Sequence, residues 1–91
     1  MIQIFVNNTG DFDDLFATTT DLNVVPNSVV QPPNQRINAG RQISINVQED
    51  GNGNCLLQVV TARVDDTTRT KVFNNQSCSA GQGVNVDVFG V

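Results

Sequence analysis

Two stretches, Arg41-Gln42-Ile43-Ser44-Ile45-Asn46-Val47-Gln48 and Gly83-Val84-Asn85-Val86-Asp87-Val88-Phe89, alternate apolar and polar residues one by one. A period of two belongs to a strand with one buried and one wet face, and it is incompatible with an amphipathic helix. It places Ile43, Ile45 and Val47 on a buried face and Gln42, Ser44, Asn46 and Gln48 toward water. No stretch of the chain sustains a helical period. The residue supply agrees, with 14 Val and 5 Ile against 4 Leu, 4 Ala, 1 Lys and 1 Glu in 91 residues. Helix builders are scarce and β-branched residues abundant.

The rest of the chain divides into short strands and turns. Residues 2–6 form a first strand, ended by Asn7-Asn8-Thr9-Gly10. Residues 12–20 are strand-like, because Ala17-Thr18-Thr19-Thr20 is poor helix material. Val24-Val25 and Val29-Val30 make short edge pieces around a Pro26-Asn27-Ser28 turn, and Pro32-Pro33 removes two donors from any ladder. Residues 55–64, the most apolar segment, read as a central strand, with a return strand over 69–73 or on to Cys78. Glu49-Asp50-Gly51-Asn52-Gly53-Asn54 and Asp65-Asp66-Thr67-Thr68 are turn chemistry. Ala39-Gly40 and Ala80-Gly81 each feed an alternating strand, which suggests two strands in equivalent positions rather than a repeat array. The expected fold is all-β: one small antiparallel β-sandwich or barrel of about seven to eight short strands, spanning residues 1–91 as a single domain.

The two cysteines admit two readings: buried reduced thiols or one bridge. Closing Asp65-Asp66-Thr67-Thr68 as a four-residue loop pairs Val64 with Arg69 and sets Cys55 opposite Cys78. A two-residue loop at Asp65-Asp66 sets Cys55 opposite Gln76 instead. The four-residue register leads to a Cys55–Cys78 disulfide, within bridging range for directly opposed strand residues.

Metal and catalytic chemistry have little to work with. Asp50, Asn52 and Asn54 match the first oxygens of a calcium loop, but Cys55 replaces its glycine and Thr61 its bidentate glutamate. A solvated hairpin loop is the simpler reading. Asp11, Asp13 and Asp14 form a second oxygen cluster, for which a charged turn is the simpler reading. No cofactor is expected beyond these weak calcium candidates. With no His, Trp or Tyr, nucleophilic catalysis lacks its usual base and paired-carboxylate catalysis its aromatic walls. The expectation is a non-enzyme.

Five basic against nine acidic residues, a net charge of −4, disfavour nucleic acid and anionic membranes as partners. Residues 1–7 lack the basic region of a signal peptide, and no apolar run exceeds three residues, so no membrane span is expected. Sheet edges are normally guarded by charge, especially Lys. Residues 2–6 and 84–91 carry one charged side chain, Asp87. Ile2, Ile4, Val6, Val84, Val86 and Val88 are therefore the candidate self-association edges, the alternative being that these strands are already paired within one molecule. The expected function is a structural or assembly subunit of an extracellular or virion-type β-protein assembly, working as a homo-oligomer. The competing class is a soluble carbohydrate-binding module that reads glycan hydroxyls with Asn/Asp-rich loops. An extracellular or surface location suits both, with the cytoplasm as the alternative.

Overall fold

The computed structural model describes residues 1–10 and 14–86. They form eight strands: β1 (Ile2–Asn8), β2 (Leu15–Asp21), β3 (Ser28–Val29), β4 (Gln35–Ile37), β5 (Gln42–Val47), β6 (Asn54–Arg63), β7 (Thr70–Ser79) and β8 (Gly83–Val86). One sheet has the order β5-β1-β8 and the other β3-β2-β6-β7, with β4 also paired to β2. The two sheets pack together as a small β-sandwich. Every pairing is antiparallel except β1 with β8, which is parallel.

The core follows from period-two alternation. Ile4 and Val6 of β1, Ile45 and Val47 of β5, and Val84 and Val86 of β8 are buried from one sheet; Leu15, Ala17, Ile37, Leu57 and Val59 are buried from the other. β6 lies between β2 and β7. Its odd residues from Cys55 to Thr61 are buried and the even residues between them half-buried, as suits an interior strand covered mainly on one face.

The two Ala-Gly turns have a common geometry. Gly40 and Gly81 hold φ of 72° and 78°, a left-handed conformation that a side chain disfavours, and each delivers the chain into a strand beside β1. β5 and β8 flank β1 on opposite sides, one antiparallel and one parallel.

Three expectations change. Residues 24–25 form no strand, and the proline segment contributes only the short β3. β4 is an additional strand, its alternation too short to read. Most consequentially, β1 is the central strand of its sheet, so Ile2, Ile4 and Val6 lie on no free edge. The turn after β7 folds back onto it: the Gly81 N–H donates to the Gln3 carbonyl at 2.9 Å, and the Phe5 N–H to the Gln82 carbonyl at 2.9 Å. A strand without charge suits pairing on both sides as well as it suits an unguarded edge.

Candidate functional site

Cys55 and Cys78 form a disulfide across β6 and β7, with a Cα–Cα distance of 5.0 Å. Both are buried, and they face each other in the ladder. The register arrives there by an unexpected route. Near the hairpin the pairs are Ala62 with Thr70 and Val59 with Phe73; beyond a bulge they become Leu57 with Gln76 and Cys55 with Cys78. The loop is thus one residue longer than expected, closed by the Arg63 N–H donating to the Arg69 carbonyl at 3.1 Å. Asn74 and Asn75 together oppose Gln58, which restores the pairing. Asn75 takes a φ of 53°, a conformation Asn tolerates better than most residues.

The oxygen clusters serve the loops that hold them. Asp50 Oδ1 accepts the backbone N–H groups of Asn52 at 2.7 Å and Asn54 at 3.1 Å. The β5–β6 loop is therefore an Asx-type turn closed by its own carboxylate. Asp14 accepts the Ala39 N–H at 2.9 Å and pairs with Arg36 at 2.9 Å. The Ala39 hydrogen bond and then Arg36 hold its carboxyl below the ordinary carboxylate range. Asp66 is lowered likewise by the Thr68 hydroxyl and N–H. Asp11 and Asp13 lie outside the described residues, as does Val88. Among the described residues no three acidic, Cys or His side chains come together as a metal would need.

Two buried polar residues, missed in the sequence, tie the sheets together. Asn8, at the end of β1, donates through Nδ2 to the Ile37 carbonyl of β4 at 3.0 Å and accepts the Gly10 N–H at 3.0 Å. Asp21, at the end of β2, accepts the Gln48 N–H at 2.7 Å and the Asn23 N–H at 3.0 Å. These bonds satisfy polar groups whose burial would otherwise cost about 1–3 kcal/mol each. They also tie β1 to β4 and the end of β5 to β2 across the two sheets. Their signal is faint, since Asn8 only continues the inward phase of Ile4 and Val6, and Asp21 that of Leu15, Ala17 and Thr19.

Between β5 and the β3 segment lies an open groove of about 790 Å³, lined by Ser44, Asn46, Val29, Val30 and Pro32 among others. It exposes the margins of both sheets on one side of the sandwich. The margin strands β3, β4, β5, β7 and β8 carry two charged side chains, Arg36 and Lys71. Arg36 is held by Asp14, and the Lys71 ammonium lies 5.0 Å from the Phe73 ring centroid. Val25, 99% exposed, and Val29, 40% exposed, add apolar surface in the segment beside the groove. No helix among the described residues is long and apolar enough to cross a membrane.

Comparison with protein-family models, curated proteins and solved structures finds no match for this chain.

Proposed function

We propose that this protein is a non-enzymatic structural subunit that assembles with copies of itself through the margins of its sheets. The observation that carries this reading is the near absence of charge on the margin strands. A free edge presents unpaired N–H and C=O groups, and monomeric β-proteins usually guard such edges with Lys, Pro, bulges or cover. Here β5 offers only Gln, Ile, Ser, Asn and Val, and β8 only Gly, Val and Asn. β7 keeps two of these guards, Lys71 and the Asn74–Asn75 bulge. The Cys55–Cys78 disulfide supports an oxidising, extracellular or surface location for such an assembly.

The groove supports a second reading, a carbohydrate-binding module. Its wall includes the amides Asn27, Gln31, Gln35 and Asn46, which suit hydroxyl recognition. Light scattering coupled to size exclusion separates the two. Assembly predicts a mass that rises above 9.8 kDa with concentration, and a return to monomer when Lys replaces an exposed margin residue such as Ser44. A strict monomer that retains ligands from a glycan array supports the binding module and removes the assembly reading.

A further inference from the structure

The backbone of β5 specifies which of its groups are free. In an antiparallel ladder, each residue directs both its N–H and its C=O to the same side. Asn8 donates to the Arg41 carbonyl, whereas Phe5 and Thr9 donate to Gln82 and Val86 on the opposite flank. Even-numbered residues of β1 therefore serve β5, where they face Ile43, Ile45 and Val47. Gln42, Ser44 and Asn46 direct their N–H and C=O groups outward, to the groove side. The next residue in that series, Gln48, is already occupied: its N–H donates to Asp21 Oδ2 at 2.7 Å, and its carbonyl accepts Asn23 Nδ2 at 3.2 Å. The free edge is thus a short run of three residues, and all three are exposed.

Two charges flank this run. Arg41 precedes β5 and Glu49 follows it; both are exposed. Neither makes an ion pair or a side-chain hydrogen bond among the described residues. Their placement selects an orientation for a second copy. Parallel, in-register addition sets Arg41 against Arg41 and Glu49 against Glu49, and like charges facing each other oppose pairing. Antiparallel addition does the reverse.

We infer that β5 pairs antiparallel with β5 of a second copy about a two-fold axis at Ser44, closing with two Arg41–Glu49 ion pairs. In this register Ser44 faces its own copy and Gln42 faces Asn46 of the second copy. Every outward-directed N–H and C=O then meets an outward-directed partner. Arg41 falls opposite Val47 of the second copy, and that copy's Glu49, two residues beyond the end of its β5, comes within reach of the long Arg41 side chain. The contact is isologous, the closed geometry most homodimers use, and it joins two three-stranded sheets into one of six strands. The occupant of this edge is a second copy of the chain, and the inference rests on the self-association proposed above.

Sedimentation equilibrium on the full chain tests the charges, and cysteine cross-linking tests the register. Arg41→Glu and Glu49→Arg are each expected to raise the dimer Kd about tenfold, with the double exchange returning it to within about threefold of the unaltered protein. Ser44→Cys is expected to give a covalent dimer under mild oxidation, because directly opposed Cα atoms lie about 5.5 Å apart. Thr70→Cys, on the β7 margin, is expected to give none. If the unaltered protein dimerises but either the charge exchange or the Ser44 cross-link fails, this interface is overturned while self-association stands. If the unaltered protein is monomeric up to about 1 mM, both fall.

Discussion

Asn75 is where the β6–β7 ladder is most exposed to test. The hairpin end of this ladder, carried on without interruption, sets Cys55 opposite Ser77 and turns Cys78 to the outer face. The bulge at Asn74 and Asn75, opposite Gln58, is what brings Cys78 inward to Cys55. Asn75 must hold φ at 53° to do this, and a residue with a branched Cβ meets its own carbonyl there at a cost of about 1–2 kcal/mol. Asn75→Val is therefore expected to lower stability by that amount, about 1–2 M in urea midpoint for an m-value of about 1 kcal/mol/M. Asn75→Gly is expected to stay within about 0.5 kcal/mol of the unaltered protein. Deleting Asn75 lets the hairpin-end register run through, and that register still meets Cys78 with Cys55. Intact mass after alkylation is then expected to detect no free thiol. Equal midpoints for the Val and Gly variants, or free thiols in the deletion, would refute the bulge account.

Removing the bridge with Cys55→Ala and Cys78→Ala frees a loop whose ends are 23 residues apart. Loop-closure entropy then predicts a loss of about 3 kcal/mol in denaturant melts, and a loss under about 1 kcal/mol contradicts it. The depressed carboxyls of Asp14 and Asp66 add stability above the ordinary carboxylate pKa, and this is lost as pH falls through their lower folded values. Asp14→Asn should thus lower the melting temperature at neutral pH and flatten its fall in acid; an unchanged acid slope argues against the Ala39 and Arg36 contacts. Gly83→Ala brings a Cβ into the Asn7 amide, which bonds Asn85 Oδ1 at 3.1 Å. The expected cost, about 1 kcal/mol in a thermal melt, vanishes if that amide can move aside freely.

The strands themselves were legible because burial and alternation say the same thing. Ile45 and Val47 are buried and Ser44 and Asn46 exposed, as their spacing implies. The half-buried even positions of β6 match its apolar run. The Cys55–Cys78 pairing was also legible, though for an incomplete reason: a four-residue loop and a five-residue loop with one bulge reach the same register. A bulge leaves little trace beyond residues that tolerate positive φ, and Asn-Asn reads equally well as a turn. Which strand lies at an edge was not legible. Ile2–Asn8 and Gly83–Val86 look alike in composition, but one is paired on both sides and the other on one. Strand order is set by long-range pairings, such as Val6 with Ile43 of β5 on one side and with Val84 of β8 on the other, that no local pattern encodes.

Amide hydrogen exchange at low and high protein concentration tests the proposed assembly most directly. Ile43, Ile45 and Val47 donate to β1 within one molecule and should be protected at every concentration. Gln42, Ser44 and Asn46 should exchange fast when dilute and slow when concentrated, in step with the rise in mass above the monomer. Fast exchange of those three amides at every concentration would contradict assembly through the β5 edge.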